Sequence, residues 1–173
     1  MLTIAQRLDR VYGWFLCAAN ALQSPLLLLV RLYWGWQFWQ TGWGKVTHIS
    51  HVVEYFTSLG LPAPALTAYF IAWLETIAGI LLVLGLFSRL VAVPLVIDMI
   101  VAYIVGDREA WGSFISDPGK FYGATPYTFL FASLLILSFG PGKISVDSLI
   151  AWYRQKHAAD SKSPVALPVT SDK

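Results

Sequence analysis

Between Thr67 and Leu86 the chain runs through twenty residues whose only charge is Glu75. As a helix this segment measures about 30 Å, the thickness of a bilayer's hydrocarbon core, so it is predicted to cross a membrane. A carboxylate inside such a span costs roughly 2.5–3.5 kcal/mol on the insertion scale. Glu75 must therefore face protein and a compensating group rather than lipid. Composition agrees, with 57% hydrophobic and 13% charged residues, against about 25% charged in soluble domains. Eight Trp, eight Tyr and ten Phe suit a chain anchored at two membrane–water interfaces.

Other classes drop out on composition. The single cysteine, Cys17, leaves no intramolecular disulfide, dithiol pair or thiolate zinc site. A net charge of +2 without a dense basic run gives no footprint for nucleic acid. The first twenty residues hold Gln6, Arg7, Asp9, Arg10 and Asn20, which interrupt any signal-peptide core. Apolar residues at Ile4, Leu8, Val11, Phe15, Ala18 and Leu22 instead predict an amphipathic interfacial helix over residues 1–23.

The expected fold is all-α, an integral membrane four-helix bundle with amphipathic helices at the N-terminus, in the first outer loop and at the C-terminus. The membrane domain is expected over 24–142. Its first span opens at Ser24-Pro25 and runs to about Gln40, the second covers Thr67–Leu86, the third Leu90 to about Gly106, and the fourth Pro126–Phe139. At fourteen residues the fourth is short for a bilayer. His48–Leu59 reads as a short interfacial helix ended by Gly60, and Asp107–Thr125 as a wet loop. Residues 143–157 form a C-terminal amphipathic helix and 158–173 a disordered tail. Nine Lys and Arg fall at the end bearing both termini and three at the other, which predicts cytoplasmic termini.

Counting about 1.5 Å per residue from the cytoplasmic end of each span brings Arg31, Asp98 and Glu75 to similar depths, with Gln37 and Gln40 farther along the first helix. With Lys45 as a second cation, these six residues are the expected buried polar network. One guanidinium and two acids leave a surplus negative charge for a proton, Lys45 or water to balance. Interhelical polar contacts that only fix packing are the alternative. His48-x-x-His51, with Glu54 behind, has metal-ligand spacing, but its place at the outer interface favours solvated histidines, and no metal is expected. Tyr33, Trp34, Trp36, Phe38, Trp39 and Trp43 surround the first span and read as interfacial anchors, with a quinone-ring pocket as the alternative. Gly35 and Gly79 suit close helix approach.

The order of these pieces resembles the DoxX family and its DoxD-like relatives. The resemblance rests on Arg31-Leu-Tyr-Trp-Gly35, Thr41-Gly-Trp-Gly-Lys45, Tyr55 to Pro64, Glu75 with Gly79, Leu82 to Leu90, and Gly140-Pro-Gly-Lys-Ile-Ser-Val-Asp147. It implies a small four-span protein of the bacterial inner membrane. It also implies a membrane subunit of a quinone-linked or stress-related oxidoreductase system, with quinone as the electron carrier, and functional roles for Arg31, Gly42, Lys45 and Glu75. Expected partners are the lipid bilayer, a soluble oxidoreductase subunit and further copies of the chain. A non-enzymatic scaffold recruiting oxidoreductases through 144–156, and a small-molecule or metal-ion permease, are the competing functions.

Overall fold

The computed structural model describes residues 4–160, and side chains within 11–157. In chain order the helices are α1 (Ile4–Thr47), α2 (Ile49–Ser58), α3 (Pro64–Leu84), α4 (Ser88–Val105), α5 (Arg108–Gly112), α6 (Pro118–Gly123), α7 (Thr125–Phe139) and α8 (Val146–Asp160). There is no strand among the described residues. α1, α3 and α4 are long and apolar enough to cross a membrane, and α7 is a shorter apolar helix. The result is an all-α membrane bundle in which α1 packs most extensively on α3, and α4 on α7.

α1 departs from expectation. The sequence places a helix start at Ser24-Pro25, yet α1 runs unbroken through Pro25 for 44 residues, about 66 Å. An internal proline deletes one helical hydrogen bond and crowds the carbonyl four residues back. Ala18, Ala19, Ala21, Leu22 and Gln23 before it, and Leu26 to Leu29 after it, are good helix formers that carry the helix past that defect. Ser24 does not cap; its Oγ accepts the Lys143 N–H at 3.1 Å.

The other boundaries shift by a few residues. α2 matches the expected interfacial helix, and Gly60 follows at φ 72°. α3 begins three residues before Thr67, with Pro64 in its first turn. α8 starts at Val146 because Ser145 Oγ accepts the Ser148 N–H at 3.1 Å and turns the chain there. Residues 158–160 continue α8, and the rest of the expected tail lies outside the described residues.

The wet loop is also a correction. Residues 108–123 contain α5 and α6, and Phe121 is buried. Tyr103 donates its hydroxyl to the Phe121 carbonyl at 2.7 Å and stacks on the Phe121 ring at 4.8 Å. Trp111, Phe114 and Tyr127 close around the same ring. Aromatic burial of this kind outweighs the solvation of the charged residues between them, which stay at the surface.

The apolar core joins Phe38 of α1, Ala78 and Leu82 of α3, Val91, Ala92, Leu95 and Met99 of α4, and Ile136 of α7. Outward faces remain apolar, with Leu66, Phe70, Leu90 and Ile97 exposed. Such surface is a liability in water and the ordinary state against acyl chains.

Candidate functional site: a lysine and two carboxyl groups beneath a cavity

Glycines set the register of α1 against α3. A Cβ on Gly35 would stand 2.9 Å from Val83 Cγ2 and 3.0 Å from the Gly79 carbonyl, and one on Gly79 would overlap the Trp39 backbone. One turn farther on, Gly42 lies against the backbone joining Glu75 to Thr76. Side chains larger than hydrogen would hold the helices apart; without them, Lys45 comes within reach of Glu75. Lys45 Nζ donates to Glu75 Oε1 at 2.5 Å, with the Lys45 side chain 31% exposed and Glu75 only 2%.

Asp98 enters from α4. It is buried, and it lines the same cavity as Glu75 and Lys45. Glu75 Oε2 and Asp98 Oδ2 each lack a donor. Two ionised carboxylates can only accept, so no hydrogen bond joins them unless one carries a proton. Above them opens a cavity of about 740 Å³ between α1, α2, α3, α4 and the start of α7. Its floor is Lys45, Glu75 and Asp98, and its walls include Val52, Tyr55, Phe56 and Met99. Three groups of the expected network, Lys45, Glu75 and Asp98, therefore do meet.

The other three do not. Arg31 is buried at the opposite end of the bundle, where Nη1 donates to the Pro141 carbonyl and Nη2 to the Ile144 carbonyl, both at 2.8 Å. Gly85, at φ 68°, closes over its guanidinium, and a Cβ there would overlap it. The depth count failed because it started α1 at Ser24, whereas the glycine register sets Arg31 level with the α3–α4 corner. Gln37 is half-buried and donates to Tyr33 Oη at 3.4 Å on its own helix, and Gln40 is exposed. Both lie on faces of α1 turned away from Glu75.

His48 and His51 sit on the cavity rim. Neighbouring helix-end groups occupy His48, whose Nδ1 lies 3.1 Å from the Gly44 carbonyl and 3.0 Å from Thr47 Oγ1. His51 is exposed beside Glu54 at 3.8 Å. No group of three metal-binding side chains occurs among the described residues. Of the aromatic residues of the first span, Tyr33, Trp36 and Trp43 are exposed, whereas Phe38 is fully buried and packs edge-on against Phe129 at 4.7 Å.

Asp147 was not singled out as a functional group. Its carboxylate accepts the Phe87 N–H at 2.8 Å and the Ser88 N–H at 3.0 Å, capping α4 from sixty residues away. Its own N–H donates to the Gly85 carbonyl at 3.0 Å. The available signal was α4 itself, whose start at Phe87-Ser88 brings no local side-chain cap.

The bundle and its lysine–carboxyl floor define a class: polytopic membrane proteins with an ionisable pocket between their helices. Within that class the chain belongs to the DoxX family, whose pattern matches residues 26–108. It is 31% identical over 136 residues to the "Uncharacterized membrane protein Rv3486" of Mycobacterium tuberculosis, covering 74% of this chain and 83% of that one. With the "Inner membrane protein YphA" of Escherichia coli it shares 31% identity over 134 residues, 74% of this chain and 92% of the relative. A Bacillus subtilis protein named "Putative oxidoreductase CatD" is 36% identical over 83 residues, 48% of this chain and 60% of the relative. No solved structure gives a significant match.

Proposed function

We propose that this protein is the membrane subunit of a quinone-linked oxidoreductase system and that its cavity receives the quinone head group. The observation that carries this reading is the juxtaposition of Lys45, Glu75 and Asp98 at the base of a largely apolar cavity. A quinone ring is flat and apolar, with carbonyl oxygens that only accept hydrogen bonds. The Lys45 ammonium is a donor, and a carboxyl proton on Glu75 or Asp98, turned toward the cavity, makes a second. That proton also neutralises the surplus negative charge of two acids beside one lysine. Protonation of one of the two orphaned carboxyl oxygens supplies that donor. When bound, quinone supplies a two-electron, two-proton acceptor; the chain's own residues orient it and hold the proton. With one cysteine the chain has no dithiol of its own, so a soluble oxidoreductase partner delivers the electrons. The relative named as an oxidoreductase supports the same class.

The Lys and Arg excess on the side of both termini supports cytoplasmic termini in a bacterial inner membrane, with the cavity near the outer face. The test is extraction of quinone from detergent-purified protein. Near-stoichiometric ubiquinone or menaquinone is expected, with Glu75→Gln lowering retention about tenfold, the equivalent of one charge-assisted hydrogen bond. Well-folded wild-type protein free of quinone, and unable to take it up from liposomes, would overturn the reading.

A further inference from the structure

At the other end of the bundle, a second cavity of about 480 Å³ lies between the start of the first span, the end of α7 and α8. Its lining includes two cations, Arg89 and Lys143, with the amides of Asn20, Gln23 and Gln155, and no acid. Arg89 is pinned there: Nη2 donates to the Ser138 carbonyl at 3.3 Å, and its guanidinium lies against Gly140. Lys143 has its backbone fixed by Ser24 and Ser148, since its N–H donates to Ser24 Oγ at 3.1 Å and its carbonyl accepts from Ser148 Oγ at 2.6 Å. Its side chain remains exposed. Asp147, the nearest acid in sequence, spends both oxygens on the α4 backbone.

Beside this basic cavity runs an apolar groove of about 250 Å³, lined by Leu22, Leu26 and Leu135 and sharing Gln23, Leu27 and Phe139 with it. Leu135 lies one helical turn from Phe139, toward the middle of α7, so the groove leads from the charged end into the apolar band. Trp152 of α8, an interfacial residue type, closes the basic side. A dibasic cup joined to a greasy groove has the outline of an anionic phospholipid.

We propose that this seam is a binding site for one anionic phospholipid, its phosphate between Arg89 and Lys143 and an acyl chain against Leu26 and Leu135. Charge complementarity selects the head group, and the adjoining groove selects a lipid over free phosphate. The site is independent of the outer cavity and of whatever that cavity binds. It also ties α8 to the bundle, because one head group is held from the α7–α8 turn and from α4 together.

The experiment is native mass spectrometry of the full-length protein released from nanodiscs of equal phosphatidylglycerol and phosphatidylcholine. One retained phosphatidylglycerol is expected. Each basic residue at the surface contributes about 1 kcal/mol, so Lys143→Gln reduces the preference roughly fivefold and Arg89→Gln/Lys143→Gln roughly thirtyfold. Leu135→Trp fills the groove, leaves both charges in place and is expected to abolish retention; it serves where the double variant fails to fold. Excess inorganic phosphate should not displace the lipid. Displacement by phosphate, with Leu135→Trp indifferent, would make the site a phosphate site and overturn the lipid assignment. Equal retention of both lipids by wild type, or retention unchanged in both Lys143→Gln and Leu135→Trp, would overturn it outright.

Discussion

α1 carries two basic residues into the bundle, and they do opposite things. Arg31 ends between two backbone carbonyls and under Gly85. Lys45 ends on one carboxylate, with a second behind it and a cavity above. At the Arg31 end both Nη groups meet fixed carbonyl acceptors, Nε alone is left without a partner, and Arg31 lines none of the cavities described above. At the Lys45 end a mobile ammonium meets more acceptors than it can satisfy, and two carboxyl oxygens stay without donors. The guanidinium's rigid fork suits closure, and the compact ammonium suits a site whose charge balance is unfinished. In a membrane, then, a buried cation is not evidence of function; unsatisfied groups that face a cavity are.

The comparison breaks first at Arg31. Arg31→Leu strands two partly buried carbonyls and frees the 140–147 segment, and a loss of about 2–4 kcal/mol is expected, seen as a collapse of the thermal transition in detergent. Arg31→Lys keeps the charge without the fork and should recover only part; full recovery would mean that charge alone matters there. Next comes Lys45→Met, which leaves two acids without their cation. About 2 kcal/mol is expected, moderated by the partial exposure of Lys45. Lys45→Met/Glu75→Gln should be more stable than Lys45→Met alone, and additive losses would show the pair to be uncoupled.

Asp147→Asn weakens the remote cap of α4 and should cost about 1 kcal/mol, read by thermal unfolding and by faster proteolysis near the α3–α4 corner. The smallest effect belongs to Lys120, which donates to Glu109 at 2.7 Å on the exposed α5–α6 segment. The Lys120 ammonium holds the Glu109 carboxyl below its ordinary value. A depressed acid stabilises above the ordinary carboxylate range and loses that contribution as pH falls through its lowered value. Because both groups are exposed, Lys120→Ala should leave the neutral-pH transition unchanged within error and flatten only its acid limb. A large effect would mean that the α5–α6 segment matters more to the fold than its exposure suggests.

Legibility was uneven for physical reasons. Helices α3 and α4 were readable because apolar length within a bilayer leaves one backbone solution. The α5–α6 region was misjudged because charge was weighed and the aromatics Trp111, Phe114 and Phe121 were not, although their spacing was in view. Pro25 misled because a proline at a helix start and one inside a long helix look alike in one dimension. That single misreading moved Arg31 about two turns along the bundle and into the wrong network.

The amino-acid order alone determined that this chain enters a membrane as helices and that Glu75 needs a partner, because an apolar medium allows neither an open backbone nor a lone charge. Which cation answers it was decided in three dimensions. The contact of Gly35 and Gly42 with α3 fixes how far one helix slides along another, and a slide of about four turns would exchange Lys45 for Arg31. No local pattern encodes that slide, because it depends on two surfaces fitting at once.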